Sequence, residues 1–512
     1  MSRMFDRSSG SASTSRSTNR PVSVNISDPP ACKAPSLDQI RTSFNAIYHT
    51  YIGVPMKVSA GSVPLPSEEE PPALHPDWVF DFLIRSGLDP AETRDHQSTR
   101  IPASLSFDHT MPPGLAAGRQ APGPGANATN QAPTLQERVY ELVGENGLIG
   151  LVAFFVLQTF QPESLLARAL RGALVLPSFA EFCEDLIECL ESVRHDTYGQ
   201  VASYIPALAQ ADPDKLAFAI CSVDGQRFAY GDYQNVFSMQ STCKPFAYCL
   251  AAQENGLEAV HRHIGREPSG ARFNAFALNR HGLPHNPMIN AGAITAHSLI
   301  RSNWRSSRRI HYIIDTFHVG ALPENADVKA TLELYLRACA LEVDVRTLAA
   351  MASTLSNGGV SPLTCERVIS QETTKSCLQL LLSCGMYDSS GEWACTTGLP
   401  AKSGVSGAIF ICVPNVMGLA VWSPRLDARG NSHRGVQFAK AVCQKFALSI
   451  FDQMLPGANQ VDPTMSELPK TNGPIPPVAN SFDEGHGHPA PPLQEATVGV
   501  ADAQLQASQM PV

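Results

Sequence analysis

The 512-residue sequence predicts an α+β fold, in which an antiparallel sheet is combined with a helical subdomain. A β-rich run at 216–223 is followed by Asp224-Gly225 and a second strand-like run, a pattern typical of a hairpin. Two further apolar runs, 407–413 and 417–422, flank Pro414-Asn415-Val416 and predict a second hairpin. The segments between the two hairpins carry helical periodicity, which completes the prediction.

Changes in composition divide the chain into six regions. We expect a disordered N-terminal tail (1–36), a helical N-terminal region (37–104), a Pro/Gly-rich linker (105–134), a second helical region (135–200), an α+β domain (201–454) and a disordered C-terminal tail (455–512). The α+β domain is long enough to enclose a large apolar core of its own.

Capping residues and periodicity predict individual helices. In the N-terminal region, residues 37–52 are predicted to form an amphipathic helix. A second helix is predicted with Asp77 as its N-cap and Gly87 as the residue that ends it. The apolar run 147–157 is shorter than the about 20 residues that span a bilayer, so we expect a buried helix. In the α+β domain, helices are expected at about 293–302, 330–340, 345–355, 371–384 and 435–453.

Charge and cysteine usage narrow the classes of function. The formal net charge is −9 and no long basic run is present, so nucleic acid is not an expected partner. A membrane is not expected either, because the longest apolar run is too short to span a bilayer. The 13 cysteines form no C-x-x-C pair, which argues against a structural zinc site and favours a reducing compartment. The first 36 residues are rich in Ser and Arg, and two interpretations stay open: a mitochondrial presequence or a disordered tail of a cytoplasmic protein.

The stretch from Gln240 to Pro245 carries the strongest chemical signal. Ser241 and Lys244 are three residues apart, so on one helical turn both side chains can point into the same cleft. Pro245 fits only near a helix start, where unpaired N–H groups favour an oxyanion. A serine hydroxyl becomes a nucleophile when a neighbour takes its proton, and a buried lysine can do so.

A second triplet supports this interpretation. Ser-x-x-Lys alone occurs by chance in most chains of this length. However, Lys402-Ser403-Gly404 opens an apolar β-like run, and a Lys-[Ser/Thr]-Gly triplet accompanies Ser-x-x-Lys in serine acyl-enzymes of the β-lactamase and penicillin-binding type. The α+β fold is therefore expected to be of the serine β-lactamase/transpeptidase type.

A series of further motifs, in order, resembles the animal type of the serine-dependent glutaminase family. The motifs lie between about 174 and 451 and are Tyr204-Ile205-Pro206, Val223 to Arg227, Gln240 to Pro245, Gly265 to Gly270, Pro284 to Ile294, Ser383 to Asp388 and Gly398 to Val405. The helical region before them is only loosely similar to the small helical domain of these enzymes.

The resemblance implies an activity and a set of site residues. It implies hydrolysis of L-glutamine to glutamate and ammonia through an ester on Ser241, with Lys244 as base and Tyr387 as proton relay. It further implies an oxyanion hole from the backbone N–H groups of Ser241 and Val405, and substrate contacts from Tyr204, Gln240, Asn290, Tyr335, Tyr387 and Val405. It implies no metal or organic cofactor. Homo-oligomers, such as tetramers or polymers, and activation by phosphate are known in the family.

Each of these residues also has an ordinary structural interpretation. Tyr204 and Tyr335 could be half-buried packing residues, Asn290 a helix N-cap, Tyr387 a loop anchor and Lys402 a surface charge. The resemblance favours the catalytic interpretation for Ser241, Lys244 and Tyr387 most strongly.

One family feature is absent. Family members carry a stretch resembling S-E-R-x-S-G-D-R-N whose Glu and Asn hold the ends of the substrate amino acid, but here Gly320 is followed almost directly by Pro323. Two alternatives therefore stand beside a glutaminase: a non-catalytic, regulatory glutaminase-like subunit, and a serine hydrolase acting on β-lactams or peptidoglycan. The lack of a secretion signal core and the many cysteines count against the last.

Overall fold

A computed structural model of the chain describes most of residues 73–465. The described residues are 43, 45, 47, 73–91, 93–95, 133–144, 148–150, 153–154, 157–158, 161, 163–270, 278–300, 328–452 and 460–465. The expected N-terminal tail, all of the expected C-terminal tail except 460–465, almost all of the linker and of the helix at 37–52, and the junction after Gly320 lie outside these residues.

The N-terminal elements form a small unit with its own apolar core. They are β1 (Ala73–Leu74), α1 (Pro76–Arg85), α2 (Leu135–Glu141), β2 (Ile149–Gly150), α3 (Leu165–Leu170) and α4 (Phe179–Glu191). β1 and β2 pair antiparallel. Side chains of α1 to α3 form one cluster, whereas α4 packs on the sheet of the following domain.

Two expectations for this unit are wrong in detail. The N-cap of α1 is His75, whose side chain accepts from the backbone N–H of Asp77, because Pro76 occupies the first helical position and needs no partner. The expected helix at 147–157 does not begin there, because residues 149–150 pair with β1 as β2. Gly87 does end α1, with a φ of +80°.

The α+β domain follows with these elements: α5 (Pro206–Ala209), β3 (Ala217–Ser222), β4 (Arg227–Gly231), β5 (Phe237–Ser238), α6 (Lys244–Asn255), α7 (Leu257–His261), α8 (Asn290–Leu299), α9 (Val328–Ala340), β6 (Glu342–Val343), α10 (Val345–Ser356), α11 (Gln371–Cys384), α12 (Ser390–Thr396), β7 (Ala401–Ser403), β8 (Ala408–Val413), β9 (Met417–Trp422) and α13 (His433–Lys445). The expected last helix is eight residues too long, because Phe446 turns into extended backbone and bridges to Val461.

A five-stranded antiparallel sheet forms the centre of this domain. Its strand order is β4-β3-β9-β8-β7, so both expected hairpins exist and β3 of the first pairs with β9 of the second. In register, Leu419 lies opposite Ile220 on one side and Ile411 on the other. The mixed α+β architecture predicted from the sequence is confirmed.

Helices cover both faces of the sheet, which explains the unbroken apolar runs in its strands. Successive strand residues point to opposite faces. Ala217 and Ala219 contact the cluster that contains α6 and α10, whereas Phe218 and Ile220 contact the cluster that contains α4 and α13. The small side chains on the first face let α10 approach closely.

The N-terminal unit docks onto the turn between β3 and β4. Arg168 donates to both carboxylate oxygens of Asp224, at 2.7 and 2.9 Å, and the backbone N–H of Val175 donates to the same group at 2.6 Å. The Gln226 amide donates to the carbonyl oxygens of Ser86 and Leu176 at 2.9 and 3.0 Å. The Asp-Gly turn therefore joins two units in addition to closing a hairpin.

Within the described residues, no helix is both long enough and apolar enough to cross a bilayer.

The contact between β9 and α10 predicts a stability effect. A Cβ at Gly418 would overlap the backbone of Ala349 and Ser353 on α10. We expect Gly418→Ala to lower the free energy of unfolding by roughly 1–3 kcal/mol, because the packed helix must move away. Urea denaturation measures the change. In the control Gly391→Ala, on α12, the new Cβ meets nothing within 4 Å. Equal stability of the two variants would contradict the expectation.

Candidate active site

Ser241 lies in a tight 3-10 turn between β5 and α6, and Lys244 and Pro245 are the first two residues of α6. The expected placement of proline at the helix start is confirmed. Gln240, just before the serine, has a φ of +48°, a conformation that costs a non-glycine residue roughly 1–2 kcal/mol. Its side-chain amide donates to the hydroxyl of Ser238 at 3.0 Å, which supports this strained turn.

Four side chains form a hydrogen-bonded chain at this turn. Lys244 Nζ lies 2.6 Å from Ser241 Oγ and 2.7 Å from Asn290 Oδ1, and the Tyr335 hydroxyl donates to the same Oδ1 at 3.1 Å. Asn290 is the first residue of α8, after Ile289 as N-cap, so its side chain faces the lysine instead of capping the helix. Asn290 thereby joins α6, α8 and α9.

The surroundings of Lys244 favour its neutral form. Lys244 is fully buried, and burial lowers the pKa of its amine below the ordinary value. No ion pair within the described part of the chain includes this residue, and its hydrogen-bond acceptor is an uncharged amide oxygen. A neutral amine can accept a proton from the adjacent serine hydroxyl.

The side chain of Tyr387 also lies beside Ser241. Its φ of +51° is again left-handed, and its hydroxyl oxygen is buried. Burial raises the pKa of Tyr387 above the usual phenol value, and an interaction with the Ser241 side chain offsets part of this rise. The phenol is therefore protonated at neutral pH and can act as a proton donor beside the serine.

The loop after β7 touches the backbone of the serine turn. A Cβ at Gly404 would lie 3.0 Å from the Met239 carbonyl oxygen and 3.1 Å from Thr242 Cγ2, so only glycine fits comfortably there. The next residue, Val405, is buried in a small apolar cluster that Tyr387 packs against. This close approach brings Val405 and Ser241 to the same part of the site.

The remaining expected contact, Tyr204, lies at the rim. Its side chain is 56% exposed, and its hydroxyl is near enough to affect the pKa of Tyr387. The structure thus brings Ser241, Lys244, Asn290, Tyr335 and Tyr387 together in the interior. Val405 adjoins them, Tyr204 lies outside, and the Gln240 side chain is directed to Ser238.

Lys402 is not among the catalytic and substrate-binding residues predicted from the sequence, and its interpretation as a surface charge is wrong. It is fully buried on β7, and its Nζ donates to the carbonyl oxygens of Gly385 and Ser403 at 3.0 and 2.7 Å. The same nitrogen lies 4.5 Å from the centre of the Tyr387 ring. The signal in the sequence was the Lys-Ser-Gly triplet at the start of an apolar strand.

A pair of buried thiols lies behind the serine turn. Cys243 Sγ and Cys339 Sγ are 3.8 Å apart, and Cys339 is on α9 one turn after Tyr335. The hydrogen bond between them raises the pKa of Cys243 and lowers that of Cys339. No group of three His, Cys, Asp or Glu side chains suited to a metal ion occurs among the described residues.

A buried serine and lysine on one helical turn, beside an antiparallel sheet and a Lys-Ser-Gly strand, have the residue pattern typical of Ser-x-x-Lys acyl-transfer sites. Comparison with known proteins specifies the family. The profile described as "Glutaminase" matches residues 199–321 and 317–451. The chain is 39% identical over 293 residues to a glutaminase from Nostoc sp. and covers 87% of that protein. The chain belongs to the glutaminase family.

Other similar proteins extend the comparison. The mitochondrial liver isoform of glutaminase from Rattus norvegicus is 38% identical over 333 residues, with 58% of this chain and 55% of the relative aligned. The chain thus spans little more than half the length of this animal relative. A solved structure described as "Probable glutaminase ybaS" is 32% identical, with a TM-score of 0.49, and the match covers 52% of this chain and 98% of the other.

Proposed function

We propose that this chain hydrolyses L-glutamine to L-glutamate and ammonia through an ester on Ser241. The observation that carries the proposal is the 2.6 Å contact between Ser241 Oγ and the buried amine of Lys244, in a chain of the glutaminase family. The pair supplies a nucleophile and a base, which amide hydrolysis through a covalent intermediate requires.

The proposed first half-reaction forms the ester. Lys244 takes the proton of Ser241 as Oγ attacks the γ-amide carbon of glutamine. The backbone N–H groups of Ser241 and Val405 stabilise the oxyanion, a contribution of roughly 3–4 kcal/mol per donor in comparable enzymes. Tyr387 passes its proton to the leaving nitrogen and regains one from Lys244, so that ammonia departs and the γ-glutamyl ester remains.

The second half-reaction uses the same groups in reverse. A water molecule gives its proton to the base and attacks the ester carbon, and the proton returns to Ser241 Oγ as glutamate is released. No metal or organic cofactor is part of this proposal. The elevated pKa of Tyr387 suits a group that must begin and end the cycle protonated.

The proposed substrate contacts come from Tyr204, Gln240, Asn290 and Tyr335, together with Tyr387 and Val405 near the reacting atoms. Asn290 Oδ1 already accepts from Lys244 and Tyr335, which leaves the amide N–H groups of Asn290 for an oxygen of the substrate. The exposed ring of Tyr204 can cover the substrate from the rim.

A second candidate is a regulatory, non-catalytic subunit, and the broken family match favours it. The profile matches in two segments that meet at 317–321, where the Glu- and Asn-bearing stretch is missing from the sequence. The alignment with the rat relative runs over 333 positions but covers only 58% of the 512 residues, so the relative carries residues without a counterpart here. Two lost charged hydrogen bonds would lower kcat/KM by about 10²- to 10⁴-fold.

The decisive test is ammonia release from L-glutamine by the purified full chain, with and without phosphate. We expect turnover that falls roughly 10⁴- to 10⁶-fold in Ser241→Ala, as for other serine nucleophiles. Ser383→Ala, an exposed position on α11, is the matched control and should retain activity. A folded chain that releases no ammonia at millimolar glutamine would contradict the hydrolase and favour the regulatory subunit.

The proposed base predicts a pH dependence. Lys244 is active when neutral, so kcat/KM should rise with pH as its amine loses a proton, at a pH below the ordinary lysine value of 10.5. In Asn290→Asp, a carboxylate beside the amine would stabilise the ammonium and move this rise to higher pH. An unchanged profile in Asn290→Asp would show that another group titrates.

We also propose that the chain forms a homo-oligomer, a tetramer or a polymer, as the resemblance implies. Leu332 and Leu336 on α9 support it, since they lie one turn apart and are 40% and 49% exposed. Light scattering should give a mass above the monomer's 55.0 kDa, reduced by Leu332→Lys. A monomeric mass at micromolar concentration would contradict the proposal.

For the compartment, we propose the mitochondrion, with the cytoplasm as the alternative. The rat relative is described as mitochondrial, and the Ser- and Arg-rich first 36 residues have the composition of a presequence.

A further inference from the structure

The amine of Lys402 uses its donors on two backbone carbonyls and one aromatic ring. Nζ donates to the oxygens of Gly385 and Ser403, and it lies 4.5 Å from the centre of the Tyr387 ring. The two carbonyl oxygens take two N–H donors of this amine, and the face of the ring is its third neighbour. Lys402 has no ion pair with any carboxylate in the described ranges, so its contacts point to the Tyr387 turn.

The Gly385 carbonyl links this amine to the turn that carries Tyr387. The backbone N–H of Ser403 donates to it at 3.2 Å, in addition to Lys402. A Cβ at Gly385 would overlap the carbonyl of Ala401, so α11 and β7 meet here without space between them. Lys402 therefore contacts Tyr387 twice, once through the backbone two residues before it and once through the ring.

The conformation of Tyr387 makes such support necessary. Its φ of +51° is one that a tyrosine rarely adopts unaided, and a left-handed residue at a site persists only where its surroundings enforce it. Ser390 Oγ donates to the Tyr387 carbonyl at 2.7 Å and fixes the following turn. The contact of a side-chain amine with the face of the ring comes from Lys402.

We propose that Lys402 is a positioning residue for the reaction, which holds the Tyr387 ring so that its hydroxyl reaches Ser241 and the leaving nitrogen. This inference rests on the proposed glutamine hydrolysis, and within it Lys402 acts through Tyr387 without touching the substrate.

The charge of Lys402 also affects the base. The titratable groups around its amine are Lys244 and Cys243 from the serine turn, Cys339 from α9, Cys384 from α11, and Tyr387. Burial lowers the pKa of Lys402, and repulsion from Lys244 lowers it further. The repulsion is mutual, so a proton on Lys402 disfavours a proton on Lys244, and the two buried amines compete for one proton.

A double-mutant cycle tests the proposal with Lys402→Met, Tyr387→Phe and the double variant. We expect Lys402→Met to lower kcat about 10²-fold with KM changed less than about threefold, because a misplaced proton donor affects the transition state. The double variant should be no slower than the slower single variant. Lys375→Met, at an exposed position on α11, is the control and should behave as the unmodified chain.

The pH profile distinguishes positioning from general structural damage. Replacing Lys402 removes one of two buried amines that compete for a proton, so the pKa of Lys244 and the rise of kcat/KM with pH should move to higher pH in Lys402→Met. Lys402→Gln, which keeps hydrogen-bond donors without the charge, serves as a second variant. It should show the same pH shift with a smaller loss of kcat.

Several results would overturn the proposal. A raised KM at constant kcat would place Lys402 on the substrate, and independent losses in the double variant would show that it does not act through Tyr387. Failure of both Lys402 variants to fold would make Lys402 a residue of the core alone. An unmodified chain without Ser241-dependent turnover would overturn the proposed function first, whereas normal turnover in Lys402→Met would overturn only this inference.

The NMR signal of a ¹³C label in the Tyr387 ring should shift in Lys402→Met whether or not glutamine is turned over, and an unshifted signal would contradict the contact.

Discussion

Burial of the Lys244 amine, with no carboxylate partner among the described residues, is the constraint on which this site depends. An isolated ammonium inside a protein is costly, so such a lysine loses its proton more readily than it would in water. The acceptor that the fold supplies is the uncharged oxygen of Asn290, which Tyr335 orients by a second hydrogen bond. Side chains from three helices thus hold a base of lowered pKa beside the hydroxyl of Ser241.

The central sheet brings β7, Tyr387 and Val405 close to Ser241 and Lys244. β3 and β9 pair although about 200 residues separate them, and this pairing places the Lys-Ser-Gly strand β7 and the serine turn in one domain. At Gly385 and Gly404 the chain passes close to neighbouring segments, because glycine has no side chain. These close approaches fix where the nearby residues Tyr387 and Val405 lie. At Gly385 a Cβ would overlap backbone carbonyl oxygens of Ala401 and Leu381, whereas at Gly404 it would be in tight contact with Met239 and Thr242.

Two left-handed residues, Gln240 and Tyr387, flank the nucleophile. Strain of this kind is retained where the surrounding contacts outweigh it, and here each residue has an identifiable support: Ser238 for the first and Lys402 for the second. The N-terminal unit is attached far from this strain, through Arg168 and Asp224 at the β3–β4 turn. Its attachment is at the turn between β3 and the edge strand β4, and no residue of that unit is in the Ser241–Lys244–Asn290–Tyr335 chain.

The sequence by itself determined what depends on neighbours along the chain. Apolar runs predicted both hairpins, and helical periodicity predicted the bounds of α9, α10 and α11 to within two residues. The spacing of Ser241, Lys244 and Pro245 predicted that the serine and the lysine lie at the start of a helix. Predictions were wrong where a distant part of the chain determines the local conformation. Residues 149–150 form a strand because they pair with β1, and α13 ends before Phe446, which forms a bridge with Val461. Only the tertiary structure could show that Lys402 is buried against Tyr387, because burial depends on Gly385 and Ser403 being folded around it. Spacing fixes which side chains share one turn, whereas long-range packing fixes which turns meet.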